Sequence, residues 1–375
     1  MRIAVMLRAM DERGGISVYA RNLLDHLLSL GLEDEYLLLY RTSRHLGLHQ
    51  GKPGVTERVL SAPGKALWDQ IAVPAAAREF KADVILHPKF TVPLFCTIPS
   101  VMVLHGADWF LPEASRFYSR LDRLYMRFFM PRYLQKARIA VSVSKLTTDD
   151  FSRIFKLPQG KVRTVYFGPA GNFRRVEDVN AIARVRLKYG LPDRYIFTLS
   201  RVDDGGRKNV AGLLAAYPEI YARTGCPLVI GGAGLERWRN DYQIPNHGWG
   251  GAVHFPGYLD QADLPALYSG ARLYLYPSNQ EAFPIPLTEA MACGTPIVTS
   301  RANGLEEIAG DAAALVDPGN PADIAQTAVR MLTDAVECAD RVEAGYRRSR
   351  DFSWPNCARS VHAILREAAG LEPLT

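Results

Sequence analysis

Two glutamates eight positions apart, Glu281 and Glu289, bracket the proline-rich turn Ser278-Asn-Gln-Glu-Ala-Phe-Pro-Ile-Pro-Leu-Thr-Glu289, and Ala-Met-Ala-Cys-Gly-Thr-Pro296 follows. The stretch comes after an apolar strand pattern and opens a helix, with Pro286 suited to the first helical position. The amides around Phe283, Ile285 and Leu287 are then expected to face outward at the positive end of the helix dipole, a place suited to a diphosphate; Pro284 and Pro286 donate nothing. Carboxylates only accept hydrogen bonds, so two of them beside a phosphate site suit the hydroxyls of a sugar. The alternative reading, a solvated loop charge and a helix-surface charge, fits poorly with the apolar run that follows.

A second set lies in Ser200-Arg-Val-Asp-Asp-Gly-Gly-Arg-Lys-Asn-Val210, again between a strand and a helix. Arg201 at the strand end and Lys208 at the helix start are placed to reach one phosphate group, arginine as a bidentate fork and lysine as a point charge. Arg207 competes with Lys208 for that role, and the sequence does not separate them. Asp203 and Asp204 sit in a glycine-rich turn and read as turn formers rather than as a metal pair. Near the start, Gly14-Gly15 between the first strand and first helix permits close backbone approach to a ligand, or is an ordinary tight turn. It is not a G-x-G-x-x-G fingerprint. His105, in Val101-Met-Val-Leu-His-Gly-Ala-Asp-Trp-Phe110, ends a strand, where it is either a satisfied structural histidine or a ligand contact; Asp108 is near enough in sequence to orient it.

These residues need strand ends to hold them. Buried-strand runs are expected at Arg2–Leu7, Tyr36–Tyr40, Val84–Leu86, Val101–His105, Ile139–Val143 and Val162–Tyr166, and then at Tyr195–Leu199, Leu228–Ile230, Val253–Phe255, Leu273–Tyr276, Pro296–Thr299 and Ala314–Val316. Helical periodicity alternates with them at 17–30, 68–80, 116–136 and 146–155, and at 210–223, 262–268, 286–292, 305–309, 321–333 and 355–369. The pattern predicts an α/β protein of two Rossmann-like, doubly wound parallel-sheet domains, with a ligand in a cleft at the carboxyl ends of the strands. The boundary is expected near 175, after the turn cluster Gly168-Pro-Ala-Gly-Asn172, so that 1–175 and 176–354 form the domains and 355–375 a terminal helix.

The chain has 375 residues, 48% hydrophobic and 22% charged, a globular composition that excludes disorder and fibrous repeats and is long enough for two domains. Five cysteines without a CxxC pair indicate neither a disulfide framework nor a zinc site. No secretion signal and no transmembrane run are read, so a cytoplasmic protein is expected. Residues 1–175 carry 26 Lys and Arg against 15 Asp and Glu, a balance of +11, whereas the remainder is at −5. The basic half suits an anionic partner. Within it, arginines at 116, 120, 123 and 127 recur at helical spacing beside Phe117, Leu121, Leu124, Tyr125 and Phe128. This basic amphipathic segment, 116–136, is either a domain helix with a solvated arginine stripe or a peripheral contact with anionic lipid at the inner membrane face. Nucleic acid is not expected as a partner, because no recognition motif accompanies the charge.

At Arg201, Lys208, Glu281 and Glu289 the sequence resembles the retaining glycosyltransferases of family four, which have the GT-B architecture and include bacterial polysaccharide and O-antigen mannosyl- and glycosyltransferases. The likeness extends over Gly14-Gly15, the Val-Leu-His105 strand end, Ser142-Val-Ser144, Phe197 to Lys208, Pro256-Gly-Tyr-Leu-Asp260, the E-x7-E block and Phe352-Ser-Trp354. It implies that Arg201 and Lys208 hold the donor diphosphate, Glu281 the donor sugar hydroxyls and Glu289 the ribose. It further implies that Phe283, Pro284 and Ile285 line the donor turn, that His105 reaches the sugar from the acceptor-binding first domain, that Gly14 and Gly15 approach the phosphates, and that the backbone near Leu259 meets the base. Three departures stand out: Ala282 and Pro284 where glycine is common, Phe167-Gly-Pro169 where an Asn-Gly pair is frequent, and a His-Asp pair spread to His105 and Asp108.

No nucleophile poised by a general base is present in these motifs. The resemblance therefore implies transfer with retention, in which fixed cations stabilise the departing diphosphate without a metal or other cofactor. The substrates expected are a UDP- or GDP-hexose, mannose first, and a saccharide or lipid-linked acceptor in cell-surface polysaccharide assembly. The alternatives are a nucleotide-sugar epimerase of the same architecture and a catalytically silent nucleotide- or carbohydrate-binding protein.

Overall fold

The structure is a computed structural model and describes residues 1–12, 14–115, 118–201, 206–242, 244–302 and 304–372. Short runs of Val, Ile, Leu and Tyr make thirteen described strands. In the first part of the chain these are β1 (Arg2–Met6), β2 (Glu35–Tyr40), β3 (Val55–Val59), β4 (Val84–His87), β5 (Ser100–Leu104), β6 (Ile139–Ser142) and β7 (Val162–Thr164). They pair in parallel in the order β3-β2-β1-β4-β5-β6-β7. Every residue of β4, β5 and β6 is buried, as a sheet covered on both faces requires.

The second part repeats the plan with β8 (Ile196–Leu199), β9 (Leu228–Gly231), β10 (Val253–His254), β11 (Leu273–Tyr276), β12 (Ile297–Ser300) and β13 (Ala313–Val316). Their order is β10-β9-β8-β11-β12-β13, again all parallel. In each sheet the winding direction reverses once, between β1 and β4 and between β8 and β11. Loops leaving the carboxyl ends on either side of such a reversal diverge, and the crevice they leave is where ligands of open α/β sheets bind.

The chain divides into two compact units, Met1–Phe167 with Trp354–Thr375, and Gly168–Ser353. The break thus falls at the start of the glycine-proline turn rather than at residue 175. Within the first unit the terminal helix Trp354–Ala368 buries Cys357, Val361 and Leu365, and Trp354 packs on Tyr19 of the helix Gly15–Leu27 at 5.5 Å between rings. His362 Nε2 meets Asp34 Oδ2 at 2.6 Å, both buried.

Where sequence patterns were weakest, the structure adds elements. β3, Val55-Thr-Glu-Arg-Val59, is an edge strand with no fully buried residue, so its polar content hid it. The helix Val179–Lys188 has no fully buried residue either. The polar helix Ala335–Ser349 is held by an Asp334 cap and pairs such as Arg341–Glu337 at 2.9 Å. The expected helix over 116–136 is Arg120–Lys136, capped by Ser119, whose Oγ accepts from Asp122 N at 3.1 Å. Arg116 and Phe117 lie outside the described residues, as do Asp203 and Asp204.

Candidate active site

The second sheet's reversal brings together the loops that follow β8 and β11. Asn209, in the left-handed region at φ 53°, caps the helix Val210–Thr224, its side chain accepting from Gly212 N at 3.3 Å, and so sets Lys208 at the helix start. The opposite loop is fastened to it by backbone-directed bonds: Ser278 Oγ and Asn279 N donate to the Arg207 carbonyl at 2.9 and 2.8 Å, Asn279 Nδ2 donates to the Gly206 carbonyl at 3.2 Å, and Arg207 Nη1 donates to the Gln280 carbonyl at 3.0 Å. Gly304 supports the far side, where a Cβ would meet the Ala282 and Glu281 carbonyl oxygens at 2.4 and 2.7 Å.

Glu281 lies at the centre, 7% exposed. Its Oε1 receives Lys208 Nζ at 2.5 Å, Tyr276 Oη at 2.8 Å and Ser278 Oγ at 3.2 Å, and its Oε2 receives Arg207 Nη1 at 2.7 Å. Lys208 also donates to the Tyr276 hydroxyl, so this phenol is shared between the ammonium and the carboxylate. Burial works to raise the Glu281 pKa, but Lys208 and Arg207 outweigh it and pull the carboxyl down to about 2. It stays ionised throughout the working range.

Glu289 is equally buried, but among the described residues no cation pairs with it. Tyr268 Oη donates to its Oε2 at 3.0 Å, and burial, only partly offset by that bond, pushes the carboxyl up to about 7. Between the two glutamates stands a file of buried tyrosines: Tyr276 stacks on Tyr274 at 5.5 Å, and Tyr274 packs on Tyr268 at 5.2 Å.

Arg207 and Lys208, which the sequence did not separate, both reach Glu281, whereas Arg201, expected beside Lys208 at the diphosphate, is exposed just after β8 and takes no part in those bonds. The amides expected to face an anion are used locally: Ile285 N donates to the Phe283 carbonyl at 3.1 Å and Leu287 N to the Pro284 carbonyl at 3.0 Å as the helix Ile285–Ala292 begins. Phe283 is nearly buried, its ring edge-on to Phe352 at 5.8 Å. Leu259 follows β10 with its side chain against Gly231, where a Cβ would meet Leu259 Cδ1 at 2.4 Å. Gly232, at φ 146°, lies so near Ser200 that a Cβ would stand 2.2 Å from its carbonyl oxygen.

The remaining candidates belong to the first unit. Gly14 has φ 104°, open to glycine, and its carbonyl accepts from Ser17 N and Val18 N; Gly15 is exposed as the first residue of its helix. His105 Nε2 donates to the Pro88 carbonyl at 2.9 Å, which leaves Nδ1 as an acceptor. Burial pushes its pKa down to about 4, so the ring is neutral. Asp108 accepts from Tyr118 Oη at 3.0 Å. Tyr276 and Tyr268 were missed in the sequence: the period of two in Leu273-Tyr-Leu-Tyr276 puts Tyr274 and Tyr276 on one face, but nothing local says where a hydroxyl ends.

Tyr276→Phe removes the hydroxyl shared by Lys208 and Glu281 and should cost roughly 1.5–3 kcal/mol of stability; urea unfolding reads this, and a loss under about 0.5 kcal/mol would mean that the bond is not formed. Glu289 has a folded pKa above its unfolded one, so its carboxylate destabilises the fold as pH rises from about 4.5 through 7. Glu289→Gln should therefore melt above wild type at pH 8, with the gap closing toward pH 5; equal gaps at both pH values would refute the raised pKa.

Comparisons with known proteins bear on the family and the fold. Residues 183–348 match the family described as Glycosyl transferases group 1, and residues 13–168 that described as Glycosyltransferase Family 4. The chain is 30% identical over 293 residues to O-antigen chain mannosyltransferase B of Escherichia coli, covering 75% of this chain and 74% of that one. It is 26% identical to an uncharacterised glycosyltransferase of Methanocaldococcus jannaschii over 99% of this chain and 100% of the other. In fold it is similar to HepE of Anabaena, solved with UDP and glucose, at a TM-score of 0.76 and 16% identity over 98% and 99% of the two chains. With two parallel-sheet Rossmann-like units and this relationship along most of its length, the chain belongs to the family-four glycosyltransferases, enzymes of the GT-B fold.

Proposed function

We propose that this glycosyltransferase moves a hexose, mannose before others, from a UDP- or GDP-sugar to a saccharide or lipid-linked acceptor in cell-surface polysaccharide assembly, with retention and without a metal. The observation that carries the reading is the buried set of Glu281 with Lys208 and Arg207 at the reversal of the second sheet. The relationship to an O-antigen mannosyltransferase supports the choice of sugar and pathway class. In this reading the unit Gly168–Ser353 binds the donor and the unit containing Met1–Phe167 binds the acceptor. Lys208 and Arg207 turn donors toward the diphosphate, with exposed Arg201 as a further cation, and Glu281 accepts sugar hydroxyls. Glu289 takes the ribose, the backbone at Leu259 takes the base, and the Phe283–Ile285 turn borders the sugar. His105 offers Nδ1 to a hydroxyl, and Gly14 and Gly15 leave room for phosphate.

The bond from the anomeric carbon to the diphosphate oxygen breaks, and the acceptor oxygen bonds to that carbon on the same face. The acceptor proton passes to the departing diphosphate. Cations fixed before the reaction stabilise the charge that builds on the leaving oxygen.

The acceptor side is read as meeting an anionic membrane. Among the described residues no helix is long and apolar enough to cross a bilayer. The helix Arg120–Lys136 buries Met126, Met130, Tyr133 and Leu134 but exposes Leu121 at 79%, Leu124 at 66% and Phe128 at 52%, next to exposed Arg120, Arg127 and Arg132. A solvated arginine stripe does not need those apolar neighbours; insertion at a headgroup boundary uses both.

Calorimetric titration with UDP, GDP and ADP, each with magnesium or with EDTA, should show one nucleotide bound in both conditions and at least about tenfold weaker in Lys208→Ala with an unfolding transition intact. Binding of none of the three by wild type would overturn the donor site. In flotation, the chain should rise with liposomes containing anionic lipid and not with neutral ones, and Leu124→Asp should abolish this; equal recovery on both compositions would count against the membrane partner.

A further inference from the structure

We propose that the carboxyl edge of the first sheet carries a subsite for a neutral sugar ring, read by Glu12, Lys89 and His105 and lined by Trp109. The inference rests on the transferase reading and names the acceptor chemistry it would use.

The site is built at that sheet's own reversal, where β1 and β4 are neighbours. A deep layer is buried. Arg8 forks onto Asp69 at 2.6 and 2.7 Å, Thr91 Oγ1 donates to Asp69 Oδ2 at 3.0 Å, and His87 Nδ1 donates to the Thr91 carbonyl at 2.7 Å. Burial pushes the His87 pKa down to about 3, so its ring is neutral, and its buried Nε2 has no hydrogen-bond partner among the described residues.

The layer above reaches solvent. Lys89 is paired with Glu12, and Arg8 Nη1 lies 3.8 Å from Glu12 Oε1; the Lys89 and Glu12 side chains are 19% and 27% exposed. His105 is near enough to feel both charges and keeps its Nδ1 as an acceptor. Phe90 links the groups, 5.8 Å from the His105 ring and edge-on to half-buried Trp109 at 4.7 Å.

Charge selects the ligand class. Arg8 and Lys89 are each paired, with Asp69 and Glu12, so the cations that line the subsite are locally matched, although Lys65 lies near enough to act on Lys89. A phosphate would have to take Lys89 from Glu12 and then face that carboxylate. A neutral polyol instead brings hydroxyls that donate to Glu12 and His105 and accept from Lys89, while the indole meets the apolar face of a ring.

The test titrates the full chain with methyl α-D-mannopyranoside and, separately, with α-D-mannose 1-phosphate, by saturation-transfer NMR, with nucleotide affinity measured in parallel. The neutral glycoside should bind at least as tightly as the phosphate. Glu12→Gln and Trp109→Ala should each weaken it about tenfold, Trp109→Phe should restore most of the affinity, and nucleotide affinity should stay within about twofold. Tenfold tighter binding of the phosphate that is lost in Lys89→Met, or glycoside affinity indifferent to all these changes, would overturn the proposal. Absence of glycoside binding with normal nucleotide binding would overturn the subsite alone; absence of nucleotide binding in wild type would instead strike the transferase reading.

Discussion

A carboxylate sealed from water is expensive unless cations meet it, and in this protein Glu281 is met by two. That constraint organises the second unit. Lys208 and Arg207 reach Glu281 because the loops after β8 and β11 lie side by side, and those loops adjoin because the sheet reverses between these strands. Losing one partner of such a set leaves a buried charge without its counterion, which typically costs about 3–5 kcal/mol. The bonds from Ser278 and Asn279 to the Arg207 carbonyl, the Asn209 cap and the clearance at Gly304 all serve to keep that arrangement.

The two glutamates of the E-x7-E block show how environment divides one residue type. Both are buried to the same degree. Glu281 has cations and is held near 2; Glu289 has a phenol and is pushed to about 7. An anion ionised at every working pH suits a fixed electrostatic scaffold, whereas a carboxyl near neutrality accepts a proton at little cost.

The first unit distributes charge differently. Five of its basic residues lie on the helix Arg120–Lys136 beside exposed apolar side chains, and its strand ends carry matched pairs, Arg8 with Asp69 and Lys89 with Glu12. Net charge by segment therefore describes the long-range field of this unit but not the local chemistry at its sheet edge.

Much of the architecture was legible along the chain. Twelve of the thirteen described strands coincide with apolar runs, because a strand buried on both faces must be apolar throughout; β3, at an edge, escaped for the converse reason. Lys208, Glu281 and Glu289 were legible too, since their residue types and their places at strand and helix ends are local properties. What the sequence left open or misplaced depends on partners far along the chain. Lys208 and Glu281 are 73 residues apart, so that Arg207 and Lys208 both meet Glu281 is decided by how two loops adjoin. The amides of Ile285 and Leu287 are taken up by the Phe283 and Pro284 carbonyls at the helix entry. Periodicity and capping act over a few residues and are written in order along the chain; ion pairing, burial and the pKa values that follow from them act through space, and only the folded sheet determines which distant residues share it.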